Sequence, residues 1–229
     1  MSDTIPMHII ARIRSDFPTK FGIPRQSGLA DTPARIVFEP PYRSADALRG
    51  IEAFSHLWLI WQFSEAVRAD WSPTVRPPKL GGNRRVGVFA TRSPFRPNAI
   101  GLSSVRLDRA ALQTPDGPVL HISGADLMDG TPILDIKPYL AYTDAHPEAA
   151  GGFALQSRKG VLRVCCPAPL LARLPADRQE ALRAVLAHDP RPGYQHLPGR
   201  VYGFPFAGFE VRFTVDSDTL TVVAIEPID

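Results

Sequence analysis

The chain has 229 residues, 44% of them hydrophobic and 21% charged, which is ordinary for a soluble globular protein and argues against disorder. Its 24 prolines are about twice the average use and predict short elements joined by stiff loops. The formal net charge of +3 by itself says little about a polyanionic partner. The longest apolar run, residues 57–61, is too short to span a bilayer, and the only cysteines, Cys165 and Cys166, are adjacent, which disfavours a disulfide. We therefore expect a reduced, cytoplasmic protein with no membrane contact.

The first third of the chain predicts three strands, over residues 7–14, 35–39 and 54–63. The third is nearly continuously apolar and rich in aromatic residues, as in a strand buried on both faces. His56 at its start could be a ligand or a base, but a lone histidine beside apolar residues is more often a hydrogen-bonded core residue. A loop over residues 19–33 separates the first two strands.

The segment after the third strand is basic. Between Asp70 and Asp108 there is no acidic residue, and a long loop over residues 66–85 begins this window. A field of one sign attracts phosphates, although the cations could also solvate a loop-rich edge or pair with acidic residues elsewhere. The cations of the window are Arg76, Lys79, Arg84, Arg85, Arg92, Arg96 and Arg106.

Residues 81–101 predict a basic glycine loop, a short apolar strand and then a loop stiffened by Pro94 and Pro97. Because prolines fix φ, they would present Arg92, Arg96 and Asn98 from a rigid wall. Such a wall suits a ligand, and an ordinary solvated surface loop is the alternative. A further strand is expected from residue 102.

Strands are also expected over residues 102–109, from residue 118 to 123 and over residues 133–140. In the last, a period of two puts Asp135, Lys137 and Tyr139 on one face and apolar residues on the other. The polar face could carry chemistry, or Asp135 and Lys137 could form a buried pair that only closes a barrel. The turn over residues 129–132 leads directly into this strand.

The rest of the chain predicts a separate small unit. We divide the chain into a barrel domain over residues 1–142, a linker over residues 143–160 and an α+β domain over residues 161–229. In the last we expect a strand at residues 160–166, a helix with a capping box at Asp177 and Glu180, and a hairpin over residues 209–225. Residues of this unit could dock RNA or serve oligomerisation: Arg191, Tyr194, His196, Arg200 and Tyr202.

Several long motifs occur in order along the chain, at residues 24–26, 49–58, 73–78, 88–93, 96–98, 100–101, 126–132 and 135–139. Together they resemble the TrmO (TsaA-like, YaeB-like) family. The resemblance extends from about residue 5 to residue 140 and resumes near residues 189–192 and 202–204. Small departures are Ser27 and Ala99 where proline is expected, and a more basic Arg84.

The resemblance implies an S-adenosylmethionine-dependent tRNA methyltransferase that acts on N6 of threonylcarbamoyladenosine at position 37, in the anticodon loop. It also implies a homodimer with the active site near the interface, and a mainly β fold with an α+β appendage. The barrel is then a small seven-stranded antiparallel β-barrel. The cofactor residues implied are Pro24, Arg25, Gln26, Ser64, Glu65, Arg92, Asp129, Gly130, Thr131 and Pro132.

Physical reasons for these assignments are available. Arg25 can hold a carboxylate in a bidentate fork, and Gln26 can donate to and accept from adenine or methionyl groups. A carboxylate or phenol can orient the N6 amine and accept its proton late, while a cation holds the threonine carboxylate of the substrate. We assign the first task to Asp126 or Asp135 with Tyr139, and the second to Lys137 and Arg96. Candidate substrate-binding residues are Arg76, Arg84, Arg85, Arg96, Asn98, Arg191 and Arg200.

Two other function classes stay open. A non-catalytic RNA-binding or nucleotide-binding barrel would need only the basic window, and a small-molecule hydrolase would need a nucleophile or metal arrangement that the sequence does not display. No Rossmann glycine fingerprint is present, so an ordinary doubly wound methyltransferase is not expected. No His or Cys spacing indicates a metal site.

Overall fold

A computed structural model of the chain describes residues 4–77, 80, 84–156, 160–191, 197 and 199–228. Several residues singled out in the sequence lie outside this part of the chain, namely Lys79, Gly81, Gly82, Asn83, Tyr194 and His196.

The described residues of the N-terminal part of the chain form eight strands. They are β1 (Ala11–Ser15), β2 (Pro33–Phe38), β3 (His56–Gln62), β4 (Thr74–Val75), β5 (Val86–Gly87), β6 (Ile100–Ala111), β7 (Val119–Ser123) and β8 (Pro132–Pro138). Six of these form a closed antiparallel barrel in the order β1-β2-β7-β6-β3-β8. Short 3-10 helices lie at Pro40–Tyr42, Ala45–Leu48, Ile51–Ala53, Ser64–Ala66 and Val88–Ala90.

The described residues thus form a six-stranded barrel, and the seventh strand that the resemblance implies is not confirmed. The two remaining strands, β4 and β5, pair only with each other. Pro73 and Pro77 flank β4, and proline cannot donate to a sheet ladder, so this ribbon stays short. The apolar strand expected after residue 85 is also mostly absent, because Val88–Ala90 turns into a 3-10 helix.

Side chains that point into the barrel form its core. Ile13, Ile36, Leu57, Leu59 and Ile133 are each fully buried there. The expectation that the third strand is buried on both faces was wrong, because β3 alternates: its outward residues are exposed or half-buried. An antiparallel barrel has an outer face that reaches solvent, which periodicity could not show for such an apolar run. His56 is likewise exposed rather than a core residue, and its Nδ1 lies 2.9 Å from Ser55 Oγ.

The C-terminal part is a small α+β unit. Two short helices, α1 (Ala141–Asp144) and α2 (Gly152–Gln156), precede this unit. Its own elements are β9 (Arg163–Cys165), α3 (Ala168–Leu171), α4 (Ala176–Ala187), β10 (Tyr202–Phe206), β11 (Phe209–Asp216) and β12 (Thr219–Pro227). The sheet order is β10-β11-β12-β9, with β9 parallel to β12. The expected capping box is not formed, because α4 begins after Pro175 and Asp177 pairs with Arg178 instead.

The loop between β1 and β2 belongs to the core of this second unit. Phe17 is buried there at a ring-centroid distance of 5.5 Å from Phe206, and Phe21 meets Phe204 edge-on at 6.1 Å. Arg178 of α4 lies 2.6 Å from the carboxylate of Asp16. The loop that carries residues 24–26 is therefore anchored to the C-terminal unit at its start.

Within the described ranges, no helix combines the length and apolarity needed to cross a membrane.

Candidate active site

A groove of ≈ 1670 Å³ lies between the two parts of the molecule. Its walls come from residues 20–26, 66–77 and 85–96, from residues 150–154, and from Pro190 and Arg191 of the C-terminal unit. Common small-molecule sites are about 300–1000 Å³, so the groove has room for a cofactor and a nucleotide together.

Three of the predicted cofactor residues meet in this groove. Arg92 Nη1 donates a hydrogen bond to Gln26 Oε1, and Gln26 Nε2 donates to the carbonyl of Arg25. Arg25 Nη2 donates to the carbonyl of Arg191 over 2.8 Å. Pro24 is buried just before them, while Arg25 and Arg92 stay exposed. Pro24 and these hydrogen bonds therefore fix the backbone of the loop, and the cations Arg25 and Arg92 face the groove.

Asp126 lies beside this loop. Its Oδ1 accepts a 2.5 Å hydrogen bond from Ser103 Oγ, which itself accepts one from Trp61 Nε1 over 3.0 Å. Burial raises the pKa of Asp126, and the bond from Ser103, backbone groups including that of Ser27, and the charge of Arg92 oppose the rise. A half-buried carboxyl with a raised pKa next to a cation is a candidate for proton transfer.

The other predicted cofactor residues lie at the same end of the barrel but not in the wall of the groove. Trp61 of β3 pairs with Ile133 of β8, which puts Ser64 and Glu65 at the end where the 129–132 turn lies. Glu65 reaches the rim of the groove through a 2.9 Å ion pair with Lys20.

The 129–132 turn is bound to β1. Asp129 Oδ1 accepts from the backbone N–H of Ser15 over 3.0 Å, and the carbonyl of Gly130 accepts from Arg12 Nη1 over 3.1 Å. Thr131 is buried and its hydroxyl donates to the carbonyl of Met128. Pro132, at the start of β8, is also buried. Within a single chain these contacts give the turn a structural role, because they hold it against β1.

Asp135, Lys137 and Tyr139 share the outer face of the barrel, away from the groove. Lys137 Nζ lies 3.0 Å from Asp135 Oδ2, so the two residues do pair, but their side chains are 62% and 43% exposed and the pair is not the buried one that the second interpretation expected. The ring of Tyr139 packs on Trp58 at 5.3 Å and on His56 at 6.2 Å. Of the four predicted catalytic residues, only Asp126 lies close, within one chain, to the loop that carries Pro24, Arg25 and Gln26.

A β-bulge determines which residues of β8 face the barrel core. Ile133 lies opposite Trp61 and Asp135 lies opposite Ile60, so Leu134 is the extra residue. As a result Ile133 and Ile136 both pack in the barrel core, three positions apart, instead of the strict alternation that we expected.

The predicted substrate residues divide into two groups. Arg76, Arg85 and Arg96 line the groove, and Arg96 and Asn98 also line an adjacent depression of ≈ 380 Å³. Arg84 is exposed beside Arg85, while Arg200 lies over the ring of Tyr202 at 5.3 Å and does not line the groove.

Arg191 differs from the others because its guanidinium is buried. It pairs with both oxygens of Asp189 at 2.8 and 3.0 Å, and its side chain is only 8% exposed. This geometry leaves the guanidinium little access to an RNA phosphate, whereas its carbonyl holds Arg25.

Comparison with known proteins matches residues 12–145 with the tRNA-methyltransferase O N-terminal domain and residues 167–228 with the TrmO C-terminal domain. The chain belongs to the tRNA-methyltransferase O family. A solved TrmO structure from Pseudomonas aeruginosa superimposes with a TM-score of 0.79 at 34% identity, over 100% of this chain and 99% of that one.

Two curated relatives of this TrmO chain support the same grouping. An Escherichia coli (strain K12) protein named tRNA (adenine(37)-N6)-methyltransferase is 41% identical, over 95% of this chain and 96% of its own length. A Pseudomonas aeruginosa (strain PAO1) protein, provisionally named S-adenosylmethionine-dependent methyltransferase RcsF, is 45% identical over 89% and 90%. The family predicted from the motifs is confirmed, and with it the class of a tRNA methyltransferase that uses S-adenosylmethionine.

The aromatic residues of the groove were not predicted from the sequence. Trp71, Phe89 and Phe95 are 52%, 72% and 43% exposed, and Arg68 lies 4.0 Å from the ring centroid of Phe95. Their position inside an arginine-rich window without acidic residues was the signal that could have identified them.

Proposed function

We propose that this chain methylates N6 of threonylcarbamoyladenosine at position 37 of tRNA. The observation that carries the proposal is the convergence of Arg25, Gln26 and Arg92 at one end of a groove, with Asp126 beside their loop and other arginines along the groove wall. The name of the Escherichia coli relative supports adenine-37 as the target. tRNA is found in the cytoplasm, which is where we expect the protein to act.

The residues of the groove suit S-adenosylmethionine. Arg25 donates only one of its guanidinium N–H groups strongly, to Arg191, so others are available for a carboxylate. Phe21, Ile23 and Ala66 provide apolar wall for an adenine ring, and Gln26 supplies an amide next to them. When bound, the cofactor supplies an activated methyl group on a sulfonium, so the protein mainly has to position the amine and remove one proton.

In such a transfer a C–N bond would form at N6 as the C–S bond breaks, and the electron pair of the broken bond would go to sulfur. The N6 proton must then leave, and we assign its acceptance to Asp126. Its raised pKa makes it a better base than an exposed aspartate, and Ser103 keeps the carboxylate oriented.

Arg76, Arg85 and Arg96 are proposed to bind the RNA backbone or the threonine carboxylate of the substrate. The guanidiniums of Arg85 and Arg96 are already oriented, since Arg85 Nε donates to Thr74 Oγ1 over 2.8 Å and Arg96 Nη1 donates to the carbonyl of Thr91 over 3.0 Å. A guanidinium keeps further donors after one such bond, so these anchors are compatible with anion binding.

A homodimer is part of the proposal. The outer face of β3, β6 and β8 carries Leu102, 56% exposed, next to Ile60 and near Asp135 in register. A second copy on this face would bring Lys137 and Tyr139 close to an interface, where the resemblance expects the active site.

We also retain the division into residues 1–142, 143–160 and 161–229, which the ranges matched by the two family domains support.

The first experiment is calorimetry of S-adenosylmethionine binding to the full chain, with Arg25→Ala and Arg92→Ala beside wild type. Arg49→Ala is the matched control, because Arg49 is exposed and pairs with Asp46 away from the groove. We expect saturable binding that both groove variants weaken and the control retains. Equal binding by all four proteins would contradict the position of the pocket.

The second experiment separates the substrates. Purified protein and cofactor are incubated with tRNA that carries, or lacks, the threonylcarbamoyl group, and the nucleosides are analysed by mass spectrometry. We expect a methyl gain only in the modified tRNA. RNA binding without cofactor binding or methyl transfer would instead support the non-catalytic RNA-binding barrel.

A further inference from the structure

Phe89 projects from the protein surface on a turn whose backbone is fixed by hydrogen bonds. Its neighbour Val88 is buried, and the N–H of Val88 donates to the carbonyl of Pro73 over 2.9 Å. The N–H and hydroxyl of Thr91 both donate to the carbonyl of Val88, over 3.1 and 2.8 Å. An apolar ring that is 72% exposed on so constrained a backbone is positioned for contact with a partner.

Trp71 extends this aromatic surface. It is 52% exposed, and its ring centroid lies 6.1 Å from that of Phe89, with the ring planes 34° apart. Phe89 also separates the large groove from the adjacent depression, since it lines both. The other walls of the depression are Arg96, Pro97, Asn98 and Ile100.

The charges around this surface indicate the chemistry of the partner. Among the described residues that line the groove, seven are arginines and Asp70 is the single acidic one. Exposed aromatic rings between cations match single-stranded nucleic acid, in which bases stack on the rings and phosphates meet the cations. The seven arginines are Arg25, Arg68, Arg76, Arg85, Arg92, Arg96 and Arg191.

We propose that Phe89 and Trp71 form a stacking surface for an unpaired base next to the target adenosine, and that the depression beside Phe89 receives the edge of that base. The inference rests on the proposed function, because it takes the anticodon loop as the substrate. In the depression, the Asn98 amide can both donate to and accept from a base edge. The aromatic surface then holds the loop open while Asp126 and the cofactor residues act on its neighbour.

The test uses the full chain and an anticodon stem-loop RNA with 2-aminopurine placed on either side of the target position. Stacking of one base on one aromatic ring predicts that Phe89→Leu weakens RNA binding by roughly five- to a hundredfold. Phe89→Tyr keeps the ring and should retain both the affinity and the quenching of 2-aminopurine fluorescence. Trp71→Leu should lower both, by a similar or smaller factor.

Tyr142→Leu is the matched control, because Tyr142 is 87% exposed and does not line either depression. Thermal unfolding and S-adenosylmethionine binding are measured on every variant, and both should be unchanged. The inference is overturned if Phe89→Leu binds RNA as wild type does, if Tyr142→Leu weakens binding equally, or if wild type neither binds the RNA nor quenches it. A failure of the proposed function is seen separately, as absent cofactor binding in wild type.

Discussion

The Asp189–Arg191 pair should stabilise the contact between the C-terminal unit and the loop of residues 24–26, which carries predicted cofactor residues. Both side chains are nearly buried, at 15% and 8% exposure, and the carbonyl of Arg191 accepts from Arg25. Burial by itself would raise the pKa of Asp189, but the hydrogen bonds and charge of Arg191 hold it below its ordinary value. Asp189→Asn removes the charge and leaves the Arg191 guanidinium buried without a counterion.

Asparagine is the informative substitution because Asp189 has a φ of 52°, in the left-handed region that asparagine tolerates. Breaking a buried ion pair by removing one partner costs about 3–5 kcal/mol, and the amide oxygen of asparagine can still accept one hydrogen bond, so we expect about 3 kcal/mol. For a chain of this size that corresponds to a fall of about 6–12 °C in Tm. S-adenosylmethionine should also bind more weakly, because Arg25 loses its anchor.

Urea unfolding followed by tryptophan fluorescence, with calorimetry of cofactor binding, measures both effects. Asp216→Asn is the control, since Asp216 is an exposed aspartate of the same unit. The double variant Asp189→Asn/Arg191→Met should recover part of the stability, because it removes the unpaired charge. If Asp189→Asn unfolds within 0.5 kcal/mol of wild type, an amount about as small as a neutral surface substitution, the argument from the buried pair is refuted.

Three further predictions follow from other parts of the molecule. The pKa of Asp126 is raised in the folded protein. Its carboxyl therefore favours the folded state at pH values below its ordinary pKa of 3.8, and this contribution is lost as the pH rises through the folded pKa. Asp126→Asn should therefore flatten the pH dependence of the free energy of unfolding in that range and also abolish methyl transfer; an unchanged pH profile would contradict it. Gly22→Ala should destabilise the protein by about 2–4 kcal/mol in urea unfolding, because φ is +94° and a Cβ would lie 2.2 Å from the ring of Phe204. Trp58→Phe should cost about 1 kcal/mol, since it removes the 2.8 Å hydrogen bond from Trp58 Nε1 to Asp144, and Asp144→Asn measured beside it should show a non-additive double-mutant cycle.

The positions of the barrel strands were largely predictable from local patterns. Alternation and turn residues located β2, β7 and β8 to within a few residues, because side chains of a strand point to opposite faces with a period of two. The same patterns predicted the hairpin of β11 and β12. The motifs added the family, which the comparisons confirm.

Patterns failed where the outcome depends on a distant partner. The bulge at Leu134 arises from pairing with β3, so the sequence of β8 alone gives no sign of it. The burial of Arg191 arises because it pairs with Asp189 and packs in the second unit, whereas an arginine among prolines looks exposed in sequence. The strand count of the barrel likewise depends on whether β4 and β5 join it, and they pair with each other instead.

By itself the sequence determined the mainly β fold with an α+β appendage, the approximate positions of most strands and the basic window, because composition, periodicity and motifs are local properties. The motifs also predicted Arg25, Gln26 and Arg92 as cofactor residues, which stays a prediction. Only the tertiary structure decided that Asp126, of the four predicted catalytic residues, lies beside that loop, while Asp135, Lys137 and Tyr139 lie on the outer face. The reason is physical: which side chains meet is set by barrel closure and by the docking of residues 16–30 on the C-terminal unit, both of which are long-range contacts.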